Sequence, residues 1–158
     1  MSSFIKLNKI NKSFNLENKV RALKNINLDL DLGKIYSIVG PSGSGKSTLL
    51  NLISLIDNQS SGAIQIDNQI IVPEDKNTND KIRASKIGII YQNYNLLNDF
   101  TAIENVELAS LALNNNKKKS LTEAKKIMSS LGLSKRLNHF PNELSGGENQ
   151  RVAIARAL

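Results

Sequence analysis

Residues 35–48 read Ile-Tyr-Ser-Ile-Val-Gly-Pro-Ser-Gly-Ser-Gly-Lys-Ser-Thr, a short apolar run followed by GPSGSGKST. A glycine, four intervening residues and then Gly-Lys-Ser is the spacing of a phosphate-binding loop set between a strand and a helix. A triphosphate packs several negative charges into a small volume, so such a loop needs many donors at short range. Gly40, Gly43 and Gly45 let the backbone curl until successive N–H groups converge and the chain can approach phosphates closely. Pro41, Ser42 and Ser44 complete the loop, and Lys46 brings a point positive charge to the outer phosphates. Ser47 offers a hydroxyl suited to a Mg²⁺ ion, and Thr48 follows it. The helix predicted from about Lys46 adds the positive end of its dipole. Leu49, Leu50, Leu52, Ile53, Leu55 and Ile56 then have the composition of a buried helix, not of a Gly/Ser linker. The stretch predicts a nucleoside triphosphate binder.

The 158 residues suffice for one domain with a core. Net charge is +7, yet the lysines are spread along the chain. The one short run, Lys117–Lys119 beside Asn114–Asn116, reads as a solvated loop and not as a nucleic-acid stripe. Aromatic residues make up only 4%, too few for a base-stacking platform, so no nucleic-acid partner is predicted. With no cysteine, disulfides and thiolate metal sites are excluded. The start, MSSFIKLNKI, has no apolar signal core, and no apolar run approaches the ~20 residues of a bilayer span. The expected location is the cytoplasm, with membrane contact only through a partner.

Outward from the loop, Phe4–Ile10 reads as a first strand. Ile26, Leu28, Leu30 and Leu32 alternate with Asn27, Asp29 and Asp31, a strand with one wet face and so antiparallel. Gly33 turns the chain into Lys34–Val39, predicted to be a strand buried on both faces. After the loop's helix, Ser60-Ser61-Gly62 breaks the pattern, and Ala63–Asp67 and Gln69–Val72 read as a hairpin with Asp67-Asn68 at its turn. Pro73–Asp80 reads as polar loop and Ile87–Tyr91 as another buried strand. Thr101-Ala-Ile-Glu is a capping box that opens a helix through Leu113. Ser120-Leu-Thr-Glu opens a second helix, apolar at Ile127, Met128 and Leu131 and stopped by Gly132. The domain plan is an ATP-binding core over 1–93, a helical subdomain over 94–143 and a final segment over 144–158.

That final segment opens on LSGGENQR, residues 144–151, followed by Val-Ala-Ile-Ala-Arg-Ala-Leu. Gly146 and Gly147 ahead of an alanine-rich helix make backbone amides available to an anion, and Ser145 adds a hydroxyl. On chemistry alone this is a second phosphate site. GPSGSGKST and LSGGENQR, in this order, resemble the Walker A and signature motifs of the ATP-binding subunits of ABC transporters. Tyr91-Gln92 after its apolar run resembles the family's Q-loop. Phe14 stands where the family places an aromatic, usually tyrosine, that stacks on adenine, and phenylalanine keeps the π face. YQNYNLLNDFTAIENVELA and LSGGENQRVAIARAL are most similar to the lipoprotein-release, macrolide-export and bacteriocin-export type.

The resemblance implies an α/β fold, a P-loop NTPase core whose mixed sheet carries N-terminal antiparallel strands, plus an α-helical subdomain. It implies ATP and Mg²⁺ as ligands, a second nucleotide-binding domain in a head-to-tail dimer, and transmembrane permease subunits at the inner face of the cell membrane. Gly40–Thr48 would hold one ATP, and Ser145, Gly146 and Gly147 the γ-phosphate of the partner's. Ser47 and Gln92 would ligate Mg²⁺, and Lys46 and Gln92 would serve the chemistry. The family's strand ending in Asp-Glu and its switch histidine are not found in these 158 residues. Asp57 ends an apolar run in or just past the loop's helix, and His139 precedes the signature, so neither is a substitute. The expectation is a C-terminally truncated core with an uncovered apolar strand and negligible hydrolysis by the chain alone. A non-hydrolysing ATP-binding module and a soluble non-transport ABC ATPase would carry the same two motifs. A GTPase or small-molecule kinase would lack the signature, and no NKxD motif follows the loop.

Overall fold

A computed structural model describes residues 3–15, 19–114 and 116–158. The chain forms two compact units, Met1–Asp80 and Lys81–Leu158. In the first, β1 (Ser3–Asn15) and β2 (Lys19–Asp31) pair antiparallel along their length. β3 (Ser61–Ile66) and β4 (Gln69–Ile70) complete a sheet of order β2-β1-β3-β4, antiparallel at every pairing. The alternation in β2 holds for Ile26, Leu28 and Leu30, half-buried between exposed Asn27 and Asp29, but fails at its end: β2 stops at Asp31, which is half-buried, and Leu32 is exposed. Leu7, Ile10, Leu23, Ile64 and Ile66 are buried, which at about 1.5–3 kcal/mol each is the main stabilisation of this small unit.

The β3–β4 turn lies at Asp67-Asn68 as the sequence predicts. Both residues have positive φ, 47° and 63°, the type I′ geometry whose twist suits a hairpin. The predicted break at Ser60-Ser61-Gly62 needs correction, because Ser61 and Gly62 already belong to β3. The ladder steps from Asn8↔Ala63 to Asn11↔Ser61, with Lys9 at φ 50°, so β1 bulges against Gly62.

Lys34–Val39 is not the doubly buried strand expected. It joins no ladder of the described residues, and Ile35 and Val39 are 100% and 85% exposed. An apolar run becomes a buried strand only where neighbours take its N–H and C=O groups and cover its faces, and here none does. The same correction applies to Ile87–Tyr91, where Ile90 is exposed. α1 (Lys46–Ile53) packs against β2, but of its apolar residues only Leu52 is fully buried; Leu50 and, just past the helix, Ile56 are exposed. The reading of a wholly buried helix was too broad, because one helix face meets the sheet and the other meets water.

Pro73–Asp80 is not all loop. α2 (Lys76–Lys86) begins inside it, started by the Asp75 carboxylate, which accepts from the Thr78 N–H at 3.1 Å. Polar composition hid this helix from a periodicity test.

The second unit is helical. α3 (Ala102–Asn114) opens at the predicted capping box: Thr101 N donates to Glu104 Oε2 at 2.8 Å, and Thr101 Oγ1 accepts from Glu104 N at 3.4 Å. Buried Asn105 ties down the preceding loop, accepting from Leu97 N at 2.8 Å and donating to the carbonyls of Leu97, Phe100 and Thr101. α4 (Lys117–Ser130) starts one turn before the predicted Ser120, because Asn116 caps it by accepting from Lys119 N at 3.0 Å. Lys117–Lys119 is therefore a helical first turn, not a loop, although it is solvated as expected. Asn115 lies outside the described residues. Gly132, at φ 73°, stops α4 as predicted. Its N–H donates to Ser129 O and that of Leu133 to Met128 O, the paired bonds of a Schellman ending. α3, α4 and α5 (Gly146–Ala157) share a core around Ile103, Val106, Met128, Leu133 and Val152.

Candidate functional site

Lys12 pairs with Leu23 and Ser13 with Arg21, so Ala22 is an extra residue on β2. Its carbonyl lies against Gly45: a Cβ built there would sit 2.7 Å from Ala22 O and 3.0 Å from Leu23 Cδ2. Gly45 is also left-handed, at φ 89°, and is the residue from which α1 starts. Only glycine fits both demands. The start of α1 has no side-chain cap and no acidic residue in its first turn. Its first amides and the dipole are thus left to an outside acceptor.

Gly40 and Gly43, at φ 153° and 77°, shape the rest of the loop, and Ser44 N closes a turn onto Pro41 O at 3.3 Å. Lys46 folds back over it, its Nζ donating to Gly40 O at 2.9 Å and Pro41 O at 2.7 Å, with Ser44 Oγ at 3.5 Å. Two strong bonds on an ammonium with three protons fix its position and leave donor capacity for a phosphate. Pro41, Ser42, Gly43, Ser44 and Ser47 are exposed, and Thr48 is half-buried on α1. Phe14, near the end of β1, is 36% exposed, and the Lys12 ammonium lies 4.9 Å from its ring centroid. Asp57 is bound to Lys12 at 2.6 Å, which accounts for the carboxylate that the sequence leaves without a role.

In the second unit Ser145 caps α5. Its Oγ accepts from Glu148 N at 3.3 Å and donates to Glu148 Oε2 at 2.8 Å, while Ser145 N donates to the same oxygen at 2.8 Å. Arg136 Nε donates to Glu148 Oε1 at 2.6 Å. Gly146 and Gly147 form the first turn of the helix and are exposed. The serine hydroxyl therefore has an internal, helix-capping role that its residue type did not reveal, and Glu148 and Arg136 are its missed supports. The S-x-x-E pattern of residues 145–148 was the available signal.

Arg136 first, then the Ser145 N–H and hydroxyl, lower the Glu148 carboxyl from its ordinary 4.5 to about 2. A carboxyl depressed by folding stabilises the fold above its unfolded value, and that stabilisation is lost as pH falls from about 4.5 towards 2. Glu148→Gln is therefore expected to lower the urea midpoint relative to the parent at pH 6, with the gap closing towards pH 2. A gap of the same size at every pH would contradict the ion-paired state of Glu148.

Gln92 is exposed in a turn closed by Tyr94 N on Tyr91 O at 3.2 Å. Tyr94 and Asn95 have positive φ, 57° and 48°, and Arg156 of α5 holds both carbonyls, at 2.7 Å and 2.5 Å. Burial lowers the Arg156 guanidinium from its ordinary value, with Tyr91 opposing. Sequence reasoning missed Arg156 as the anchor of the glutamine turn. His139 is half-buried, and its backbone carbonyl accepts from Ala102 N at 2.8 Å.

Residues 23–158 match the family model described as ABC transporter. Over 158 residues the chain is 44% identical to the lipoprotein-releasing system ATP-binding protein LolD of Rickettsia bellii (strain RML369-C), covering 99% of this chain and 69% of that protein. It is 43% identical over 142 residues to the macrolide export ATP-binding/permease protein MacB of Shewanella oneidensis (strain ATCC 700550 and its synonyms), covering 90% of this chain and 22% of that protein. A solved dimeric structure of the ATP-binding cassette MJ0796, in a post-hydrolysis state bound to ADP and Pi, superposes with a TM-score of 0.87 at 42% identity. That superposition covers 98% of this chain and 68% of the cassette, and it supports the α/β P-loop NTPase fold.

Proposed function

The chain belongs to the ABC transporter family, and from that premise we propose that it acts as the ATP-binding motor part of a transporter that drives export or lipoprotein release through transmembrane permease subunits. The observation that carries the nucleotide assignment is the built loop: Gly45 seated on Ala22 O, uncapped amides at the start of α1, and Lys46 fixed across Gly40 and Pro41. These residues fit a triphosphate, with Gly40–Thr48 around the phosphates and Phe14 beside the base. Within the loop Ser47 would be the residue for Mg²⁺, which when bound would neutralise charge on the phosphate oxygens.

In this reading residues 1–93 are the ATP-binding core, 94–143 the helical subdomain, and 144–158 the signature motif and the start of the following helix. The uncapped glycine turn of one copy and the Ser145–Gly147 turn of a second copy would close on one nucleotide. Support comes from the cassette relative, whose solved structure is dimeric. Among the described residues no helix is long and apolar enough to cross a membrane, so the proposed position at the inner membrane face depends on the permease subunits.

Asp57 is committed to Lys12 and Glu148 to Arg136 and Ser145, so neither is placed to polarise an attacking water. Residues 1–158 by themselves are expected to bind MgATP saturably and to release phosphate at the background rate. A phosphate-release assay checks this. Robust release that disappears in Lys46→Ala would contradict the predicted inactivity, and a lack of saturable binding would contradict the nucleotide assignment.

A further inference from the structure

Lys12 serves three contacts at once. Its Nζ donates to Asp57 Oδ1 at 2.6 Å and to Asn58 O at 2.7 Å, and it lies 4.9 Å from the centroid of Phe14. The Lys12 side chain is only 11% exposed. Lys12 and Phe14 are two apart on β1, so they share a sheet face. Asp57 and Asn58 stand just beyond α1, and the N–H groups of Ile56 and Asp57 donate to Asn51 O, at 2.9 Å and 3.2 Å, which binds this segment to the loop's helix. Ser60 N on Asn11 O at 2.9 Å and Ser13 N on Ser60 Oγ at 3.0 Å fasten the same segment to β1 on either side of Lys12.

We propose that Lys12 is a positioning residue for the nucleotide base, holding the Phe14 ring by one face and tying it through Asp57 to the helix that carries the phosphate loop. This rests on the reading of Phe14 as the base-stacking residue. A cation on one face draws π density towards itself and lessens repulsion on the other, so a purine stacks better on the free face. The ion pair also fixes the ring in place, so less side-chain freedom is lost when a base binds. A residue acting this way contributes to binding of the base and little to binding of the phosphates.

The test compares MgATP with magnesium tripolyphosphate, which has the phosphates and no base, in calorimetric titrations of the whole chain. Lys12→Met is expected to weaken MgATP about three- to tenfold and tripolyphosphate less than about twofold. Asp57→Asn should show the same selectivity more weakly, and Lys12→Arg should restore MgATP affinity. On a Phe14→Ala background, Lys12→Met should cost MgATP no further affinity. Equal losses for both ligands in Lys12→Met and Asp57→Asn, or a full additional loss on the Phe14→Ala background, would overturn the proposal. A parent chain that binds tripolyphosphate as tightly as MgATP would overturn it too while leaving the phosphate loop standing. A parent that binds neither overturns both readings.

Discussion

Lys46→Ala is expected to weaken MgATP binding about 10- to 100-fold while leaving the fold intact. A hydrogen bond to a charged group is worth about 1.5–3 kcal/mol, and about 1.4 kcal/mol is tenfold in affinity. The ammonium bridges Gly40 O and Pro41 O. Its removal takes away the cation and also leaves those two carbonyl oxygens without their donor inside the proposed phosphate loop, so the loss belongs at the upper part of that range. The helix start itself is set by Gly45 against Ala22 and by the burial of Leu52, neither of which involves Lys46. The urea midpoint should therefore shift by less than about 1 kcal/mol equivalent. Calorimetric titration at constant salt gives the affinity, and an unchanged dissociation constant would mean that the ammonium is not a phosphate ligand.

Gly62→Ala is expected to destabilise the first unit by about 3–5 kcal/mol, a large share of the ~5–15 kcal/mol typical of a domain. Two costs combine. At φ 96° a Cβ is strained by about 1–3 kcal/mol. That Cβ would also stand 2.5 Å from Lys9 O and 2.7 Å from Asn8 O. Both are backbone atoms of a strand paired on its two sides, to β2 and to β3, so they cannot swing aside as a flexible side chain would, and overpacking adds about 1–3 kcal/mol. Gly132→Ala is the control for backbone strain alone: φ is 73°, yet nothing lies within 4 Å of the added Cβ. It should cost about 1–2 kcal/mol. Urea titrations of the two variants measure the difference, and equal losses would contradict the close approach of β1 and β3.

Local chemistry explains what could be read ahead of the structure. The phosphate loop, the Thr101 capping box, the Asp67-Asn68 turn and the stop at Gly132 each rest on a few adjacent residues, and each stands where the sequence places it. The strands read from apolar runs fared differently. Ile35–Val39 and Ile87–Tyr91 need partners from elsewhere in a sheet, and composition carries no information on whether those partners are present. α2 escaped notice because its start depends on one aspartate cap in a polar stretch, and the start of α4 on an asparagine taken for loop. Residue types singled out Lys46, Ser145 and Phe14 as candidates, but not what holds each of them. Lys12 meets Asp57 across 45 positions and Arg156 meets Tyr94 across 62, pairings visible only once the chain is folded.

The central claim is that phosphates are held by the backbone of residues 40–48. Amide chemical shifts of the isotope-labelled chain, followed as MgATP is added, test it most directly. The account predicts saturable shifts of the Gly43, Gly45, Lys46, Ser47 and Thr48 amides, with weaker shifts near Phe14, and their loss in Lys46→Ala. Saturable shifts that leave those five amides unmoved would contradict it.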